Sequence, residues 1–155
     1  MSLPSERQIS AELGDRLRNA GYVTVEFLSA IVHATGRRLP SADQNASAAR
    51  IARLIESQAW TDATLALIDL ELPQWQVRRL AYDDGEWYCA LSRQRDLPDW
   101  LDQSIETRHA DLALAMLSAF VEAQRISSTS SRTSVPAVPQ HADLTYEPVC
   151  SDNFA

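Results

Sequence analysis

The stretch Pro73–Arg93, PQWQVRRLAYDDGEWYCALSR, decides the fold of this chain. Two β-prone runs, Trp75–Tyr82 and Glu86–Arg93, flank Asp83-Asp84-Gly85. That spacing predicts a two-stranded antiparallel β-hairpin over about 74–82 and 86–93. Two turn chemistries compete for it. A two-residue type I′ turn at Asp84-Gly85 pairs Tyr82 with Trp87. A three-residue loop with Gly85 left-handed in a G1 bulge pairs Tyr82 with Glu86.

The choice matters because a slip of one residue moves every side chain of a strand to the opposite face. The bulged register gathers Trp75, Val77, Ala81, Trp87, Cys89 and Leu91 on one face. It leaves Gln74, Gln76, Arg78, Leu80, Tyr82, Glu86, Tyr88, Ala90 and Ser92 on the other. An apolar side and a mixed side are what a half-buried sheet requires, so the bulged register is the expectation. Arg79 then falls on the apolar face, its stem packed and its head reaching the rim.

A lone hairpin is marginal in water and needs a covering layer. Upstream, Ile9, Leu13 and Leu17 recur every four residues, which predicts a helix over Ser5–Ala20. Gly21 is placed to end it in a left-handed cap. Thr24 caps a second helix carrying Val25, Phe27, Leu28, Ile31 and Val32, ending near Gly36. Arg38–Ser47 reads as a polar loop around Pro40. A third helix follows from Ser47 or Ala48 to Gln58. A fourth, TDATLALIDLEL, is capped by Thr61 and closed by Pro73.

Beyond the hairpin, Asp96 and Pro98 suit the start of a short helix bearing Trp100, Leu101 and Ile105 to about Arg108. The run DLALAMLSAFVEAQ carries two apolar stripes. Leu112, Met116, Ala119, Phe120 and Ala123 form one; Leu114, Leu117 and Val121 form the other. A helix that apolar is buried on more than one side, against the hairpin or in a dimer. From Ile126 the Ser/Thr/Pro-rich composition reads as a flexible tail over 126–155. The expected architecture is α+β and mostly helical. One domain spans 1–125, with a helical pair at 5–36 and a helix-helix-hairpin-helix unit at 47–125.

The chain of 155 residues has a net charge of −7 and an ordinary 45% apolar content. All 14 basic residues are arginine. The absence of lysine excludes a P-loop, a Schiff-base lysine and a kinase-type lysine. Residues 61–125 hold twelve acids against six arginines, which disfavours nucleic acid and anionic membrane as partners. No apolar run approaches the length of a membrane span. The start, MSLPSERQIS, lacks a basic segment followed by an apolar one. Cys89 and Cys150 are placed for no disulfide. A cytoplasmic location is the expectation.

The segments ALIDLELPQWQVRRLAYDDGEWYCALSRQ and LPDWLDQSIETRHADLALAMLSAFVEAQ resemble a group of short proteins of arginine-rich alphaproteobacterial genomes of the rhizobial type. The order helix, Trp-bearing hairpin, Ala/Leu-rich helix is also similar to small phage-associated sandwich domains. Neither resemblance implies an activity or carries functional residues across.

The search for chemistry is sparse. His33, His109 and His141 are far apart, and there is no Cys-x-x-Cys or His-x-x-x-His. His109 near Asp111 and Glu106 is the one local cluster. Cys89 falls on the core face, where a thiol is inert. There is no Gly-x-Ser-x-Gly, and four glycines make no phosphate loop. Asp83, Asp84 and Glu86 suit a turn; Asp96, Asp99 and Asp102 suit a helix start. No catalytic, cofactor-binding or metal residue is nominated, and no cofactor is expected.

The bulged register does place Leu80, Tyr82, Tyr88 and Ala90 on the mixed face, as an apolar patch needing cover. The cover is either a partner or second copy, or the first two helices in a three-layer domain. The leading expectation is a non-catalytic protein–protein interaction or self-assembling module, a possible homodimer. The alternatives are an enzyme using acidic side chains or His109, and a helix-turn-helix nucleic-acid binder through residues 5–38.

Overall fold

The computed structural model describes residues 5–35, 42–93 and 104–130. Its elements are α1 (Glu6–Asn19), α2 (Val25–Thr35), α3 (Ala42–Glu56), α4 (Trp60–Glu71), β1 (Gln76–Asp83), β2 (Glu86–Ser92), β3 (Ser104–His109) and α5 (Leu112–Ser130). The strands form one antiparallel sheet in the order β1-β2-β3. The fold is α+β and mostly helical, with a three-stranded sheet where the sequence suggested two strands.

α5 is the hub. Leu114, Ala115, Met116, Leu117, Ala119, Phe120 and Ala123 are all fully buried. One side of α5 packs on β2 and β3, and other positions receive α1 and α4. α3 packs on α4, and α2 on α3. The double apolar stripe of this helix thus meets two layers, as its pattern predicts. Asp111 caps it, its Oδ1 accepting the Leu114 N–H at 3.0 Å. Thr107 of β3 donates its hydroxyl to the Ala115 carbonyl at 2.6 Å, which pins strand to helix.

The third strand, Ser104–His109, stands where the end of the expected short helix, near Arg108, was placed. Its sequence SIETRH alternates, and Ile105 is buried opposite Leu91 while Glu106 is exposed. That period of two is a strand signal, and it outweighs the helix-start residues upstream. Trp100, Leu101 and the capping residues Asp96 and Pro98 lie outside the described residues.

The turn also differs from expectation. Asp83 pairs with Glu86 and Tyr82 with Trp87. Asp84 has φ 52° and Gly85 φ 82°. Positive φ at both central positions is the type I′ turn, whose twist matches the strands it joins. A bulge does exist, but at Arg78, between the Val77–Leu91 and Arg79–Ala90 pairs. It resets the phase of β1. Val77 before it and Leu80 and Tyr82 after it all share the face of Trp87, Cys89 and Leu91. Arg79 moves to the opposite, outer face with Ala81 and Asp83, so no arginine has to snorkel out of the core.

Four boundaries shift. α3 begins at Ala42, since no breaker follows Pro40. α4 begins at Trp60, so Thr61 is inside the helix and Ala59 occupies the cap. α1 ends with Ala20 extended, and Gly21 is not left-handed. The left-handed cap sits instead at Gln58, with φ 59°. There the Ala59 N–H reaches the Leu54 carbonyl and the Gln58 N–H that of Ile55, a Schellman closure of α3. Finally, α5 runs through Ile126 to Ser130, past the boundary expected for the tail. Trp75 explains why: its indole N–H donates to Ser127 Oγ at 3.1 Å. The remainder of the expected tail lies outside the described residues.

Candidate functional site: the sheet and its β1 edge

The sheet has one covered and one open side. On the covered side Cys89, Leu91 and Ile105 join the core against α5. Cover fails toward β1, the edge strand. Leu80 is 39% and Tyr82 61% exposed although both sit on the core-side face. Tyr82 leans on Trp87, with ring centroids 5.1 Å apart, a packing that leaves its other surface in solvent. Among the described residues the outer edge of β1 has no strand beside it.

The outer face carries a polar array. Tyr88 lies at its middle, on the central strand. Arg79 on β1 and Arg108 on β3 place their guanidinium carbons 5.9 and 5.6 Å from the Tyr88 ring centre. Both are within cation–π range. The Tyr88 hydroxyl is hydrogen-bonded to Glu106. That bond, aided by desolvation and the carboxylate charge, raises the phenol above its usual value against the pull of the two arginines. Asp83, Glu86, Glu106 and Ala81 complete a shallow open depression of about 240 Å³ around it.

The four residues expected to share one surface are divided. Leu80 and Tyr82 flank the β1 edge on the core side. Tyr88 and Ala90 belong to the outer face, and Ala90 is only 5% exposed. The register does this, because Leu80 and Tyr82 pair with Cys89 and Trp87 rather than with residues of the Tyr88 face. The first two helices do not cover the outer face, since α1 packs on α5 and α2 on α3.

The His109 cluster comes apart. His109 pairs with Trp87, whereas Glu106 pairs with Ala90 on the opposite face. The His109 ring accepts the Asp111 N–H through Nδ1 at 3.0 Å, a link in the β3–α5 connection. Cys89 is fully buried, and desolvation pushes its thiol up to about 11. Among the described residues no group of three His, Cys, Asp or Glu could hold a metal. Among them, too, no helix is long and apolar enough to cross a membrane. Within the helical pair Arg16 is engaged over the Phe27 ring at 5.1 Å; residues 36–38, the end of the stretch in the helix-turn-helix alternative, lie outside the described residues.

The pairing of Arg79 with Tyr88 was the feature sequence reasoning missed. Its signal was that an unbroken alternation sets one arginine on the apolar face in either register, Arg79 with the bulged turn and Arg78 with the type I′ turn. Comparison with protein-family models, curated proteins and solved structures finds no match to this chain.

Proposed function

We propose that this chain is a non-catalytic module that works by protein–protein contact through its three-stranded sheet. The observation that carries this reading is the incompletely covered β1 strand. Its ladder edge has no neighbour among the described residues, and Leu80 and Tyr82 stand exposed beside it. An open edge with exposed apolar side chains is a template for an added strand.

The competing reading is catalytic use of the outer depression, where Asp83, Glu86 and Glu106 gather. Little supports it. The depression is open to water, its phenol is held protonated by Glu106, and the buried thiol lies on the other face. A helix-turn-helix role draws less support still, because α1 and α2 pack chiefly on α5 and α3.

The test is site-specific photo-crosslinking in the native cell. A photoreactive residue at Tyr82 should capture protein, and one at Glu12 or Arg53 on exposed helix surface should not. Equal capture at all three positions, or none at Tyr82, refutes the sheet-contact reading.

A further inference from the structure

We infer that the β1 edge pairs antiparallel with β1 of a second copy of this chain, about a two-fold axis at Ala81. This rests on the sheet-contact reading above and names its partner. The argument begins with backbone parity. Asp83 and Glu86 close the type I′ turn, so they exchange the ladder bonds nearest to it. Antiparallel pairs alternate between bonded and non-bonded. Ala81 and Arg79 therefore spend their main-chain groups on β2, while Leu80 and Tyr82 aim theirs at the free edge.

An incoming antiparallel strand must set its own outward-bonding residues opposite Leu80 and Tyr82. For a second β1 that leaves three symmetric registers, centred on Leu80, Ala81 or Tyr82. Centring on Leu80 sets Arg79 against Ala81 and Asp83 against Val77. Centring on Tyr82 sets Leu80 against Asp84. Centring on Ala81 sets Arg79 against Asp83 on the outer face and Leu80 against Tyr82 on the core-side face, each twice. Only this register matches charge to opposite charge and apolar to apolar.

Two further features agree with it. Within one copy Asp83 faces Glu86 across the turn, a like-charge pair that Arg79 of a second copy would relieve. Arg79 is exposed, with its guanidinium carbon 5.9 Å from the Tyr88 ring centre, so a rotation of this surface side chain is enough to turn it toward Asp83 of a second copy. The bulge at Arg78 interrupts the regular edge on one side and the turn ends it on the other. The regular stretch is Arg79–Asp83, and the Ala81 register uses all of it.

The test uses the full chain carrying Cys150→Ser, with Cys89 buried. Sedimentation over a wide concentration range should show a reversible monomer–dimer equilibrium. Arg79→Asp or Asp83→Arg alone should weaken the dimer by about tenfold or more, since each sets two like-charge pairs at the interface. The double exchange should restore affinity to within about threefold of wild type, because it rebuilds both pairs with signs reversed. Circular dichroism checks that each variant keeps the fold.

Ala81→Cys in the same background should give a disulfide-linked dimer on mild oxidation. Its partner Cα would lie at about 4.5 Å in a non-bonded pair, within disulfide reach. Val25→Cys on α2 should not. Sedimentation as a monomer throughout, failure of the double exchange to rescue, or equal cross-linking at both sites overturns the dimer. If Tyr82 crosslinks only to a different protein while the pure chain stays monomeric, the sheet-contact reading survives and the dimer falls.

Discussion

Asp84 provides the sharpest check on the hairpin register, because the two turn chemistries give it opposite conformations. In the type I′ turn it stands at φ 52°, the left-handed region that alanine enters at a cost of about 1–2 kcal/mol. In a three-residue G1 loop the same residue would be right-handed, and alanine would be harmless. Asp tolerates the left-handed region better than alanine does, so the net loss for Asp84→Ala should be about 1 kcal/mol. Asp84→Asn removes the same charge and keeps left-handed tolerance, so comparing the two cancels electrostatics with Asp83 and Glu86. Asn-Gly is also the favoured type I′ pair. Asp84→Asn should therefore match or exceed wild type, with Asp84→Ala about 1 kcal/mol below it. In a chain of 155 residues that gap is about 2–4 °C in Tm. Urea unfolding followed by tryptophan fluorescence, with calorimetry beside it, resolves such a difference. Equal stability of the alanine and asparagine variants would refute the type I′ register, and the Ala81-centred dimer would lose its parity argument with it.

The other expectations are simpler. Gly14→Ala should stabilise by about 1 kcal/mol, because Gly14 is mid-helix and an added Cβ meets nothing closer than Arg18 Nη1 at 3.9 Å; thermal unfolding reads it. Gln58→Gly should stabilise by up to about 1 kcal/mol, since glycine enters the left-handed cap without a Cβ penalty but loses more freedom on folding. The Cys89 thiol binds its proton more tightly when folded, its value rising from 9.0 to about 11. Its contribution is thus complete below pH 9 and is lost as pH rises toward and past 11, by about 3 kcal/mol. Denaturation at a series of alkaline pH values should show this fall, and Cys89→Ala should flatten it. Thr107→Val keeps the shape but removes the donor to Ala115, so it should cost about 0.5–1.5 kcal/mol by urea unfolding.

Much of the architecture was legible because it follows periodicity. The stripe Ile9, Leu13, Leu17, the Thr24 cap and the doubly apolar last helix all appear where the spacing puts them. What escaped was a matter of single residues. An unbroken alternation through Trp75–Tyr82 forces either a bulged turn or a scattered face. The chain instead spends its extra residue at Arg78, which no propensity marks, and so keeps both the I′ turn and one apolar face. β3 escaped because six residues with a single apolar side chain, Ile105, are too short to outweigh Asp96 and Pro98 as helix signals. The candidate site was half legible. Leu80 and Tyr82 were found as exposed apolar residues, but Tyr88 was assigned to their company because a bulge placed at the turn, rather than at Arg78, slips Leu80 and Tyr82 to the opposite face.

The same edge illustrates how specificity can arise on a surface that is otherwise repulsive. Two bodies each of net charge −7 repel over distances of about a Debye length, so casual stacking of sheet edges is disfavoured. Arg79, with a bulge beside it, is the kind of device that normally protects an edge from pairing. A foreign strand lacking an acid opposite Arg79 gains nothing to offset that charge. A second β1 brings Asp83 to that position twice and no other symmetric register does. Protection against strangers and attraction to its own copy therefore come from the same side chain. Salt separates the two contributions. If net repulsion dominates, adding salt from low ionic strength should strengthen the dimer of wild type and of the Arg79/Asp83 exchange variant alike. If the two cross-edge pairs dominate, salt should weaken both, with the single-reversal variants moving in the opposite direction. Sedimentation at three ionic strengths measures the sign; where salt weakens the wild-type dimer, a single-reversal dimer that salt weakens as well would show that Arg79 and Asp83 do not meet across the edge.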